Sequence, residues 1–274
     1  VYRWNEEINI AKIINKKIIT EIEPIEGISN TSSWTVENTS SWVIIEEEKP
    51  VVHIKTPDKV KSVYYTSYSA SSETKMSSLD YLTKNTEVNS VTIDIKTVSW
   101  YVSFKMNDDN FWSIKPISDN RTKNIKETIE KLHEKWIYVI ARVVVFKDKS
   151  LAERRPDLAV KRLDNSAVWT DYKWLKYLDP SAKEVWDYNA AIASEAYNIG
   201  FDEVNFDYVR FPTDGRISNT YYSFSNEILK QNPKYWKVMA LDKFSSYITS
   251  KLKNEIPEIV LSADIFWLVT KMIC

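Results

Sequence analysis

Carboxylates are the residues of this sequence best placed to do chemistry. Three hydrophobic segments carry an aspartate at an alternating position near their C-terminal end: Asp94 in VNSVTIDIK, Asp207 in FDEVNFDYV and Asp264 in IVLSADIFW. A β-strand places i, i+2 and i+4 on one face, so Thr92, Asp94 and Lys96 share a face opposite Val91, Ile93 and Ile95. Glu203, Asn205 and Asp207 likewise oppose Val204, Phe206 and Tyr208, and Ser262 and Asp264 oppose Leu261, Ala263 and Ile265. A fourth segment, IYVIARVVVF, contributes Arg142 within an otherwise apolar run. Two carboxylates across a small gap can protonate a leaving oxygen and attack or stabilise an oxocarbenium-like carbon, which is what cleavage of a glycosidic bond requires. Asp207 and Asp264 are the pair assigned to that chemistry, with the division of acid and nucleophile left open.

Asp94, Lys96, Arg142, Tyr208 and Arg210 are the accompanying candidates for substrate binding, and the cations among them could hold neighbouring carboxylates ionised. Tyr65, Tyr101 and Tyr172 could stack on sugar rings, and Tyr65 joins the substrate-binding set. The competing reading is a buried charge network in which Arg142 neutralises Asp94 and Asp207 to hold the sheet together. Alternation sets Glu203 deeper, as a structural residue, and turns Asp202 outward as a solvated charge.

Other chemistries are thinly supplied. The two histidines, His53 and His133, are too few for a histidine-ligated zinc and poorly placed for a Ser-His-Asp triad, and polysaccharide deacetylation fails on the same count. His133 lies in the amphipathic run IKETIEKLHEK and reads as solvated helix surface. The single cysteine, Cys274, excludes an internal disulfide framework and a Cys-rich metal site. Neither a metal nor an organic cofactor is expected. A net charge of -1 argues against a nucleic-acid partner. No stretch approaches the ~20 apolar residues of a membrane span. The opening VYRWNEEINI lacks both Met and a signal peptide and reads as an internal start.

The elements that must position these residues follow from periodicity. Residues 1–57 alternate Ile-rich and Ser/Thr/Asn-rich stretches and read as a strand-and-linker extension. From residue 58, strand-like segments at 60–68, 88–96, 137–146, 201–209 and 259–267 alternate with helical ones at about 72–85, 121–135, 180–198 and 234–254. Asp179 and Pro180 should open the third helix. Such βα alternation predicts a parallel sheet. The fold class is therefore α/β of the (β/α)8 TIM-barrel type, with about the first five βα units present in residues 58–274 and a C-terminal truncation expected. Each aspartate falls at the strand end where such barrels carry their sites.

The segments GFDEVNFDYVRFPTDG, IYVIARVVVFKDKSLAERRPDLAV and DPSAKEVWDYNAAIASEAY together resemble the putative glycosyl hydrolase domain family, a bacterial TIM-barrel family, over about residues 60–270. The resemblance implies a hydrolase acting on a polysaccharide, at the cell envelope or outside the cell. It makes Asp207 the strand-four aspartate expected to be catalytic and puts Asp94, Arg142 and Asp264 at strand-end positions of the family pattern. The alternative from a different class is a noncatalytic carbohydrate-binding or envelope scaffold protein on the same barrel.

One departure from the pattern is systematic: Trp100, Trp136, Trp174 and Trp267 stand where the family carries glycine. The chain has 3 glycines and 11 tryptophans, although glycine normally supplies ~7% of residues. Helix-to-strand joints favour glycine because it takes positive φ without a Cβ clash, as Gly200 does before strand four. The expectation is that UGA encodes glycine in this gene. Trp4, Trp34, Trp42, Trp112 and Trp236 are further candidates, whereas Trp169 and Trp186 fit the family as tryptophan. A Trp-rich sugar-binding surface is the plainer alternative.

Overall fold

The computed structural model describes residues 50–98, 101–106, 117–118, 122 and 124–264. Five main strands, β1 (Ser62–Tyr65), β2 (Ser90–Lys96), β3 (Tyr138–Val144), β4 (Glu203–Asp207) and β5 (Val260–Ala263), belong to one sheet, which among the described residues also takes in two short strands, Tyr101–Val102, antiparallel to β2, and Ile117–Ser118 beside it. Each main strand pairs in parallel with the next in sequence. The main helices are α1 (Glu73–Asn85), α2 (Ile125–His133), α3 (Lys183–Asn198) and α4 (Trp236–Glu255). Trp100 and Trp267, with Trp4, Trp34, Trp42 and Trp112, lie outside the described residues.

Side-chain alternation divides the sheet as period two requires. Val91, Ile93, Val139, Ala141, Val143, Val204 and Phe206 form one apolar face, at most 3% exposed, and share a core with Ile129 and Leu132 of α2 and Phe244, Ile248 and Leu252 of α4. The opposite face is polar and is tied laterally. Ser62 bonds Thr92 at 2.8 Å, the Tyr138 hydroxyl donates to Glu203 at 3.0 Å, and the Asn205 amide donates to Ser262 at 3.1 Å. Ser262 also donates to Glu203, which fits the structural role expected of that carboxylate.

The α3 helix begins at Lys183 rather than at Pro180. Asp179 is fully buried, and its carboxylate accepts the Ser181 and Phe224 N–H groups at 2.9 and 3.0 Å, so it caps a turn before the helix and ties it to a distant loop. The connections after β3 and β4 are long and pair with each other through Lys161–Arg162 and Thr220–Tyr221, over a satellite core of Val160, Trp169, Tyr177, Phe211 and Tyr222. Gly215, at φ +94, is required there because a Cβ would stand 2.8 Å from the Trp169 ring.

The N-terminal ends of the strands are closed by residues 50–57, which belong to the same compact unit although composition groups them with the extension. Asp202, expected to be a solvated charge, is the anchor and has a fully buried side chain. It accepts the Ile54 N–H at 2.6 Å, the Val139 N–H at 2.8 Å and His133 Nε2 at 2.9 Å. His133 is therefore a partner of Asp202 with its side chain only 9% exposed, rather than solvated helix surface. His53 lies 3.8 Å from the same carboxylate and stacks on Tyr197 with ring centroids 3.9 Å apart. Burial lowers the His53 pKa; Asp202 partly opposes the shift and His133 adds to it.

A histidine whose folded pKa lies below its unfolded ~6.5 binds more protons when unfolded. His53 thus contributes stability in full above ~6.5 and loses it as pH falls through its lowered folded value. Chemical denaturation of wild type and His53→Gln should show a stability difference that is largest near pH 7.5 and shrinks toward pH 5.5. A constant difference would contradict the sign.

Candidate functional site

The polar face gathers its charge at the C-terminal ends of β2, β3 and β4. Parallel registration puts Asp94 beside Arg142, and Arg142 beside Asn205. The Arg142 guanidinium then spans two strands. Nη1 donates to Asp94 Oδ1, while Nη2 and Nε both donate to Asp207 Oδ2, the latter at 3.0 Å. Asp207 Oδ1 accepts the N–H of Tyr208. Burial works against the Arg142 charge, but the two carboxylates more than offset it and hold its pKa above the ordinary value. The side chains of Asp94, Arg142 and Asp207 are 7%, 17% and 21% exposed, so the cluster opens toward solvent at Asp207.

Asp264 completes the arrangement from β5. Phe206 pairs with Ala263, and the Asp264 N–H donates to the Phe206 carbonyl at 2.9 Å, so the following pair, Asp207 and Asp264, is level on neighbouring strands. The Asn205 amide reaches Asp264 Oδ1 at 3.4 Å. Tyr208 and Arg210 follow Asp207 directly. Tyr208 has φ +55, in the left-handed region that costs a bulky residue energy and is held mainly at functional sites. Its ring is flanked by Arg210 at 4.9 Å and by Lys147 at 5.2 Å.

Two candidates lie elsewhere. Lys96 does not share the face of Asp94. A bulge between them pairs Lys96 with Val143, so the next side chain turns to the helix side. There Lys96 is 1% exposed, ion-paired with Asp148 at 3.1 Å and 5.4 Å from the Tyr188 ring. Tyr65 also faces the helices, where its hydroxyl donates to the Lys75 carbonyl at 2.7 Å. Its neighbour Tyr64 is the tyrosine at the cluster. Its hydroxyl donates to Asp94, its ring lies 5.7 Å from the Arg142 guanidinium, and it is 53% exposed. Burial, then the bond to Asp94, push its pKa up to about 12. Alternation contains the signal that selects Tyr64, since Tyr64 pairs with Thr92 on the polar face.

Tyr172 is 80% exposed in the connection after β3, away from any contact with these carboxylates among the described ones. That connection does supply a residue the sequence reading missed. Lys147 is 5% exposed, 3.3 Å from Asp171 and 5.3 Å from the Tyr177 ring, and so supports Tyr208 from behind. Among the described residues, no group of three or more His, Cys, Asp or Glu is arranged to hold a metal ion, and no helix is long and apolar enough to cross a membrane.

This sheet and its carboxylates fall within residues 62–273, which match the family described as "Putative glycosyl hydrolase domain". The chain belongs to that family. No curated protein matches the sequence. Among solved structures, a hypothetical protein from Ruminiclostridium thermocellum ATCC 27405 is 31% identical with a TM-score of 0.62, over 74% of this chain and 97% of its own. An alpha-galactosidase from Lactobacillus brevis (15% identity, TM-score 0.49) is matched over 75% of this glycosyl hydrolase domain chain and 27% of its own. The GH36 alpha-galactosidase AgaA from Geobacillus stearothermophilus (16%, TM-score 0.48) is matched over 75% and 28%. The chain thus spans about a quarter of those two enzymes.

Removing Arg142 strands two carboxylates on one face. Arg142→Met should lower stability by about 3 kcal/mol, read by denaturant unfolding. Arg142→Lys should recover only part, because an ammonium cannot fork across both partners.

Proposed function

We propose that this chain is a glycoside hydrolase that cleaves polysaccharide with Asp207 and Asp264. The observation that carries the reading is their level placement on adjacent strands, at the C-terminal end of the polar face. Neighbouring strands lie about 4.8 Å apart, a spacing from which two carboxylates can flank one glycosidic bond. Arg142 offers only donors, so the Asp207 oxygen it faces is held as an acceptor. Asp207 therefore suits the nucleophile or the charge-stabilising carboxylate, and Asp264 is left to protonate the leaving oxygen. Tyr64 takes the stacking role first considered for Tyr65, with Arg142, Tyr208 and Arg210 lining the same end.

We further infer that the sheet is part of a (β/α)8 barrel. The five main strands pair in parallel and in sequence order, and the apolar face meets the helices. A doubly wound sheet would instead reverse its strand order part-way, and a singly wound one curls toward closure with its polar face inward.

A second reading is supported by a specific contact: Asp94 and Asp207 are both spent on Arg142, as in a noncatalytic carbohydrate-binding scaffold. The two readings part on activity. The protein should release reducing ends from at least one member of a polysaccharide panel, and Asp207→Asn and Asp264→Asn should each lower turnover about 10²–10⁴-fold while keeping the wild-type far-UV spectrum. Binding without hydrolysis by the wild type would favour the scaffold. Undiminished turnover in Asp207→Asn would remove Asp207 from the mechanism.

A further inference from the structure

The backbone at Trp136 and Trp174 asks for a residue other than tryptophan. After α2, the Trp136 N–H donates to His133 O at 2.9 Å and the Ile137 N–H donates to Leu132 O at 3.0 Å. After α3, the Gly200 N–H donates to Tyr197 O at 2.9 Å and the Phe201 N–H donates to Ala196 O at 3.2 Å. The two pairs of bonds are the same five-to-two and six-to-one closure, the helix-ending motif whose left-handed position is normally glycine. Gly200 fills it at φ +118 and Trp136 at φ +59.

Trp174 meets the same demand in a hairpin. Its N–H donates to Asp171 O at 3.1 Å, closing a turn inside the Thr170–Lys176 bridge, and its φ is again +59. A turn followed by one left-handed residue is the three-residue hairpin loop that favours glycine there. Among the described residues, three other non-glycine residues have positive φ, and each has a local reason that these two lack. Asn124 is of a type that tolerates the region. Ser166 is small, and Tyr208 gives its N–H to Asp207 and its ring to two cations. Trp136 and Trp174 are 81% and 76% exposed, so packing returns little for the strain.

The other described tryptophans behave as tryptophan should. Trp169 is 2% exposed and its indole donates to Arg216 O at 3.1 Å; Trp186 is 9% exposed and donates to Pro180 O at 2.8 Å. Trp236 has helical backbone and packs edge-on against Phe211 and Tyr222, so geometry makes no claim for glycine there. A sugar-stacking role does not account for Trp136, which precedes the N-terminal end of β3, the opposite end from Asp207.

We propose that residues 136 and 174 are glycine in the protein as its own cell makes it, both encoded by UGA read there as glycine. A single reassigned codon explains why tryptophan stands at glycine positions while Trp169 and Trp186, left as genuine tryptophan, stay buried and bonded. It also explains the shortage of glycine, 3 in 274 residues. The inference is independent of the catalytic reading.

The test has a genetic and a physical arm. The gene should carry UGA at 136 and 174 and UGG at 169 and 186, and mass spectrometry of the tryptic peptide 136–142 from the native cell should show glycine at its first position. UGG at 136 and 174 overturns the proposal, and so does UGA accompanied by a tryptophan-containing peptide. Independently, Trp136→Gly and Trp174→Gly should each raise Tm by about 2–4 °C, while Trp186→Gly lowers it. A fall in Tm for both of the first two would defeat the geometric argument.

Discussion

One cation shared between two carboxylates organises the polar side of this sheet. Packing helices on one face leaves the other to carry whatever the alternating positions supply, and charges there persist only when paired. Arg142 satisfies that condition for Asp94 and Asp207 at once, because a guanidinium is a planar fork that can address two partners in two directions. The bonds run across β2, β3 and β4, so the network also fixes how the strand ends stand relative to one another. A site built on that platform inherits its rigidity: Asp207 reaches solvent with one oxygen tied to Arg142 and the other to the Tyr208 backbone.

The opposite end of the strands is held by a second shared group of reversed sign. Asp202 accepts from two backbone N–H groups, one in the 50–57 segment and one in β3, and from His133 on α2. It thereby joins segment, sheet and helix through one carboxylate. The two centres divide the work along the sheet. The N-terminal end is tied together by the buried Asp202 carboxylate, whereas the C-terminal end keeps Tyr64, Asp207 and Asp264 in contact with water.

What the sequence made legible follows the range of the forces involved. The five strands and four helices were readable because their signal is local periodicity, and the polar face was readable because period two is strict within an undisturbed strand. Lys96 escaped because a bulge adds one residue to the count, an event written in the pairing of β2 with β3 and not in the β2 residues. Asp202 and His133 escaped for a different reason. Their partners lie 148, 69 and 63 residues apart in sequence, and a charge that finds such partners looks, locally, like any solvated one. Tyr64 was within reach of alternation, and only the choice of the adjacent ring obscured it.

The positions of Trp136 and Trp174 were legible for the same reason as the strands, since a helix ending or a tight hairpin states its backbone requirement within a few residues. A left-handed residue is imposed there by hydrogen bonds of the main chain itself, whatever side chain is attached. The fold therefore keeps the φ +59 conformation at both sites even though an indole is the costlier occupant, and the conflict between backbone and side chain stays visible. A conflict of this kind can be compensated by nearby contacts, as at Tyr208, where Asp207, Lys147 and Arg210 surround the strained residue. Where the side chain is left in solvent, strain has no such return. That contrast separates a residue selected for its position from one whose identity the backbone contradicts.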